Sequence, residues 1–149
     1  MKAECQLDLG SAGEYLMLGI TLPGLDVTSM EEEERILIKC KPATVLALRI
    51  MDDWHLSTQE KADILNVSTS TVHRYIKGVV PKRIVQRNRI RDILLIHRAL
   101  LILFPANSDF RLEWAKSPNK YFNNQTAVSH MVSNGTGSVR EFLEGQLFQ

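Results

Sequence analysis

The chain has 149 residues, 44% of them hydrophobic and 23% charged, with a formal net charge of +1. That is enough apolar material for one compact domain, or two small ones sharing a long helix, and the near-neutral balance excludes general basicity. Cys5 and Cys40 stand in no metal-ligand spacing and make no disulfide framework, which points to a reducing cytoplasm.

Acids are interleaved from Glu4 onward, so no signal peptide is expected. Met1 to Val27 contains GEYLMLGITLPG, whose strand character is broken by Gly and Pro. It reads as an arm or a small hairpin. Thr28 or Ser29 then caps a helix with Glu31 to Glu34 in its first turn, where carboxylates favour the positive helix end. Lys41-Pro42 is expected to stop it. Pro42 suits the first position of a new helix, carried by Val45, Leu46, Leu48, Arg49, Ile50 and Trp54.

Leu56 to Gly78, LSTQEKADILNVSTSTVHRYIKG, predicts two short helices and a tight turn. Ser57 with Glu60 three residues on is a capping box. Ala62 is the small residue that two crossing helices need, and Leu65, Val67, Val72 and Tyr75 fall at offsets that meet between them. Asn66 occupies the turn and tolerates the left-handed conformation. Ser68 caps the second helix, and Gly78 ends it. The outer face of that helix carries Ser68, Thr69, Ser70, Thr71, His73, Arg74 and Lys77. This resembles the helix-turn-helix, which lays its second helix in the DNA major groove. Asn66 stands where that family prefers Gly. Lys61 stands where it has an apolar residue, and its stem is expected to lie on the core with the ammonium in water.

Charge is segregated. Residues 1–40 carry net −5, residues 41–98 net +6 and residues 99–149 net 0. Seven Lys or Arg (Arg74, Lys77, Lys82, Arg83, Arg87, Arg89, Arg91) lie between Asp63 and Asp92, with no acid among them. A cationic stretch beside a recognition helix is an electrostatic footprint for phosphates, whereas alone it would be a solvated face. Lys82, Arg83, Arg87 and Lys77 are the candidate phosphate contacts; Ser70, Thr71, His73 and Arg74 are the candidates for base edges. One such helix reads few base pairs. Specificity therefore calls for a homodimer on an inverted repeat, with half-sites about 34 Å apart.

After Pro81 the longest helical pattern runs from Ile84 to Phe104, basic at first and apolar after Asp92. Its Ile93 to Phe104 half is either dimer contact or intramolecular core. It contains His97 and Arg98 and is too short to span a bilayer. A helix near Asn107 to Lys116 pairs Phe110 with Trp114 at i, i+4. Ser117-Pro118-Asn119 is a turn, and Tyr121 to Asn124 an irregular segment. Thr126 caps a helix through Val128, Met131 and Val132 that ends at Asn134-Gly135; Gly137-Ser138 opens the last, with Val139, Phe142, Leu143 and Leu147. The expected fold is all-α: an N-terminal arm and acidic helix (residues 1–41), a helix-turn-helix domain (residues 42–83), and a small C-terminal helical domain entered through the long helix (residues 84–149).

Ile96-His97-Arg98-Ala99-Leu100, Leu103-Phe104-Pro105, Trp114, Ser117-Pro118-Asn119, Phe122-Asn123, Thr126 and Val139-Arg140 occur in that order. Behind a helix-turn-helix, this set resembles the toxin-binding domain of the MbcA/ParS/Xre antitoxin family, over about Pro42 to Leu147. The resemblance implies an antitoxin that docks beside the active site of a RES-domain, NAD-degrading toxin, denies it NAD, and represses its own operon on double-stranded DNA. Two positions depart from the family: Asn124 replaces its Gly and Ala127 its Pro. The candidate toxin contacts are Asn119, Tyr121, Phe122, Asn123, Asn124 and Arg140; for Arg140 the alternative is a salt bridge with Glu144 at i+4. Most aromatics of this third are expected in the core.

Neither catalysis nor a cofactor is expected. His55, His73, His97 and His130 are scattered in no zinc spacing, and there is no His-Glu-x-x-His, phosphate-binding Gly loop or nucleophile elbow. The competing readings are a stand-alone dimeric transcriptional regulator and a pure inhibitor with a vestigial helix-turn-helix.

Overall fold

The computed structural model describes the backbone of residues 32–148 and the side chains of residues 41–148. The arm or hairpin expected at Met1 to Val27, the cap at Thr28 or Ser29, and both cysteine side chains lie outside the described residues. Seven helices follow in order: α1 (Glu32–Asp53), α2 (Thr58–Leu65), α3 (Thr69–Ile76), α4 (Ile84–Leu103), α5 (Ser108–Trp114), α6 (Ala127–Asn134) and α7 (Thr136–Leu147). One 3-10 turn, Lys120–Phe122, precedes α6. Among the described residues there is no strand, so the expected all-α class holds.

Pro42 does not divide two helices; it lies inside α1. Proline removes one backbone donor and disfavours helix at the residue before it. Here the apolar face that begins at once outweighs this. Ala43, Leu46, Ala47, Leu48, Ile50, Met51 and Trp54 are all buried, and tertiary packing is what stabilises most protein helices. Val45 and Arg49, expected on that stripe, are exposed instead.

Three successive helices end in the same device. After α1, Leu56 N–H donates to Met51 O (3.1 Å) and His55 N–H to Asp52 O (2.8 Å). After α2, Val67 N–H donates to Ala62 O (3.0 Å) and Asn66 N–H to Asp63 O (3.3 Å). After α3, Val79 N–H donates to Arg74 O and Gly78 N–H to Tyr75 O, both at 3.0 Å. Each pair of bonds is a Schellman motif. The residue it needs in the left-handed region is His55 (φ 62°), Asn66 (φ 58°) and Gly78 (φ 107°) in turn. Only the third is the residue that takes this φ without penalty.

The capping box at Ser57 forms as the sequence predicts. Its hydroxyl accepts from Glu60 N–H (3.1 Å), and Glu60 Oε1 accepts from Ser57 N–H (2.9 Å). That backbone bond holds the Glu60 carboxyl below the usual carboxylate range; burial opposes it and Lys116, 3.3 Å away, supports it. Ala62, Leu65 and Val72 are fully buried, Tyr75 nearly so, and Val67 packs partly against them. Lys61 departs from expectation: its whole side chain is buried, and its ammonium is held by Asp52, not water.

α4 is the spine. It packs along α7 and α1 and also meets α2, while α6 packs on α7 and α2. The alternatives for Ile93 to Phe104 resolve in its first two turns: Ile93, Leu94, Ile96, Ala99 and Leu100 are core, while Leu101 and Ile102 are exposed. One hydrophobic cluster thus runs from Ala43 to Leu143. Arg111 Nη1 closes the end of α4, donating to the carbonyls of Phe104 and Pro105. Phe110 does not pair with Trp114. It packs on Phe104 (centroids 4.6 Å apart), and Trp114 meets Phe122 edge-on at 6.4 Å. α7 opens at Thr136, one residue before the expected Gly137-Ser138, because Gly135 (φ 88°) makes the turn.

Candidate nucleic-acid interface

α3 is short and unambiguous in its faces. Val72 and Tyr75 point into the core; Ser70, His73, Arg74 and Lys77 are exposed, and Thr69 and Thr71 are half-buried. At 3.6 residues per turn, Ser70, His73, Arg74 and Lys77 form one contiguous outer face. Ser68 caps the helix: its Oγ accepts from Thr71 N–H (3.1 Å) and lies 3.0 Å from Thr71 Oγ1. Thr71 Oγ1 in turn accepts from Arg74 Nη2 (2.9 Å). Ser68 and Thr71 therefore orient Arg74, while Ser70, His73 and Lys77 stand clear at the surface.

The cations continue past the end of α3. Lys82 and Arg83 lie exposed in the connection, Arg87 half-buried in the first turn of α4, and Arg91 exposed one turn on. Lys61, Lys116 and Arg140 stand in ion pairs. Arg74, Lys77, Lys82, Arg83, Arg87 and Arg91 pair with no described acid. The N-terminus of α4 adds to this field. Arg83 is its N-cap residue, no side chain caps it, and its first turn holds no acid. Free N–H groups and the positive end of the macrodipole attract anions.

Two residues of this region act inward, and the sequence reading missed them. Gln86 is buried, and its Nε2 donates to Asn66 O in the turn between α2 and α3 (3.3 Å). Arg89, counted above with the cationic run, turns its Nη1 onto Ile64 O in the last turn of α2 (2.8 Å). They brace the turn that presents α3. Their signal is spacing: Gln86, Ile90, Ile93 and Leu100 share one buried face of α4, and a polar residue on an apolar stripe calls for a specific partner.

The C-terminal candidates divide. Segment 118–126 is closed by Asn119 N–H donating to Gln125 O (3.0 Å) and by a bridge between Pro118 and Thr126. Asn119 Oδ1 accepts from Tyr121 N–H (2.8 Å), so this side chain is partly occupied by its own turn. Asn123 (φ 57°) and Asn124 (φ 66°) both take the left-handed region and are exposed. Tyr121 is 68% exposed and rests on Phe142, centroids 4.1 Å apart. Phe122 is buried, between the edge of Trp114 and the stacked ring of His130 (4.4 Å). It is a core residue and supports Tyr121 from beneath.

Arg140 works chiefly inside the fold. Its Nε donates to Asp92 Oδ1 (2.7 Å) and its Nη1 to Glu144 Oε2 (3.1 Å). The other Asp92 oxygen accepts from Thr136 Oγ1 (2.7 Å), and Asp92 and Thr136 are both buried. Burial alone would lower the Arg140 pKa, but Asp92 and Glu144 outweigh it and hold the guanidinium more firmly charged than usual. The i+4 salt bridge with Glu144 is present, and the tie to Asp92 on α4 is stronger in geometry.

Among the described residues no His, Cys, Asp or Glu cluster could hold a metal ion, and no helix is long and apolar enough to cross a membrane. No protein-family model matches the chain, and no curated protein matches it. The class the described residues define is all-α, with two short helices, α2 and α3, joined by a tight turn and a polar, cationic outer face on α3.

Proposed function

We propose that this protein is a DNA-binding antitoxin: α3 reads an operator while the C-terminal third covers a RES-domain toxin and denies it NAD. One observation carries the DNA half. The exposed cations from Arg74 to Arg91 have no described acid to neutralise them, and they flank a helix whose outer side chains are free to reach base edges. Lys77, Lys82, Arg83 and Arg87 take phosphates; Arg74, aligned by Thr71, is the candidate for a bidentate guanine contact worth about 1–3 kcal/mol of discrimination. A homodimer on an inverted repeat would supply the remaining specificity.

The toxin half rests on the ordered resemblance of the C-terminal third, supported by an exposed surface of Tyr121, Asn123 and Asn124 on a braced loop. A stand-alone dimeric regulator is the second reading. It is favoured by the inward use of Phe122 and Arg140, which leaves fewer side chains for a partner. Co-expression separates the two. A RES-domain toxin encoded beside this gene should arrest growth, and this chain should relieve the arrest. Absence of such a neighbour, or failure of rescue by folded protein, removes the antitoxin reading and leaves the regulator. DNA binding without rescue supports the regulator directly. Rescue that survives Arg74→Ala with Lys77→Ala, in a protein with no DNA affinity to lose, would leave a pure inhibitor.

A further inference from the structure

We propose that the Thr71 hydroxyl decides whether Arg74 meets a base or a phosphate. The proposal rests on the DNA-binding reading above and adds to it a positioning residue for sequence discrimination.

Lys77, Lys82 and Arg83 carry their charge on long, exposed side chains, and among the described residues nothing holds their head groups. Arg74 differs. It is exposed too, yet its Nη2 donates to Thr71 Oγ1 at 2.9 Å. Thr71 Oγ1 lies 3.0 Å from Ser68 Oγ, which itself accepts from Thr71 N–H at 3.1 Å. The N-cap thus fixes the hydroxyl that fixes the guanidinium. Thr71 is half-buried and its hydroxyl is engaged on both sides, so it acts through Arg74.

The direction of the bond matters. Arg74 stands near the end of α3, and Thr71 precedes it by about 4.5 Å along the axis. Side chains on a helix lean toward its N-terminus, and the bond to Thr71 carries the guanidinium that way. It is the N-terminal part of a recognition helix that meets base edges. A long cation with no such hold is drawn to phosphates, which attract it whatever the sequence. The bond removes that freedom before the duplex arrives, and ordering one long side chain beforehand is worth about two- to ten-fold in binding. The fork survives the bond. Nη2 carries two protons; Thr71 takes one, and the other, with one from Nη1, meets O6 and N7 of guanine.

The test uses the full chain and two probes: the duplex it selects from a randomised pool, and a mixed-sequence duplex of equal length. Thr71→Val keeps the branched shape and the N–H that Ser68 caps, and removes the acceptor. It should narrow the affinity ratio between the probes by about two- to ten-fold. It should also steepen the slope of log K against log salt on the mixed duplex by about 0.9, because Arg74 then neutralises a phosphate. Thr71→Ser should restore both. Arg74→Ala should narrow the ratio and leave the slope alone, and Thr71→Val added to it should change nothing further. A ratio that ignores Thr71→Val, or a slope that Arg74→Ala makes shallower by about 0.9, would overturn the proposal. A readout without DNA completes the test: nitrogen NMR relaxation should show Arg74 Nε more ordered than Arg83 Nε in the parent chain, and no more ordered in Thr71→Val. Equal mobility in the parent removes the lock. An ordered Arg74 in a chain that binds neither probe removes the DNA reading, and the role of Thr71 falls with it. Duplex binding with an ordered Arg74 and an unchanged ratio leaves the DNA reading standing and overturns this proposal alone.

Discussion

Removing the Asp92 carboxylate should cost about 3 kcal/mol. Asp92→Ala leaves the hydroxyl of Thr136, itself 2% exposed, without its acceptor, a loss of about 1–3 kcal/mol. It also takes the best-placed partner from Arg140. Breaking a fully buried ion pair costs about 3–5 kcal/mol, but the Arg140 side chain is 22% exposed and keeps Glu144, so the lower end of the combined range applies. Arg140→Ala strands a buried carboxylate with one hydroxyl and should cost a similar amount. The double variant should lose less than the sum, by about 1–3 kcal/mol, because the two side chains share one interaction. Urea unfolding followed by far-UV circular dichroism measures all three. Losses under about 0.5 kcal/mol, or strict additivity, would refute the account of this cluster. If Arg140→Ala were neutral for stability yet abolished toxin binding, Arg140 would be a contact residue after all.

Asn66→Gly should stabilise the fold by a few tenths of a kcal/mol and Asn66→Ala should destabilise it by about 1 kcal/mol, since φ is 58° there; thermal unfolding reads the sign, and equal midpoints would deny any strain at the turn. His97 is held below its ordinary value of 6.5 by burial, with Asp53 opposing and Arg111 assisting. The folded state therefore prefers the neutral ring. Its contribution is present above pH 6.5 and lost as pH falls through the lower folded value, so His97→Gln should flatten the stability profile across that window in chemical denaturation, and an unaltered slope would remove the assignment. Arg89→Ala should lower stability by about 1–3 kcal/mol by unpairing Ile64 O, while the salt slope of DNA binding stays unchanged; a shallower slope with intact stability would make Arg89 a phosphate contact instead.

Local signals carried well from sequence to structure. Ser57, Ser68 and Thr126 all cap the helices expected of them, because a cap is decided by residues within one turn. The small residue Ala62 and the apolar set around it are buried as their spacing requires. Where long-range packing competes with a local rule, the sequence misled. Pro42 reads as a helix stop, and the core face of α1 overrides it. Arg89 and Arg140 read as surface charge, and each is drawn inward by a partner 25 or 48 residues away. Phe122 reads as a candidate contact among aromatics expected mostly in the core, and the rings of Trp114 and His130 place it in the core. At Asn124, a φ of 66° shows why a glycine would suit the same turn.

Salt dependence of duplex binding tests the central claim most directly. With Lys77, Lys82, Arg83 and Arg87 each neutralising one phosphate, the slope of log K against log salt should be about −3.6 per bound chain, and each alanine substitution should make it shallower by about 0.9. A flat response, or a slope that ignores the loss of all four cations, would contradict the assignment of this face to DNA.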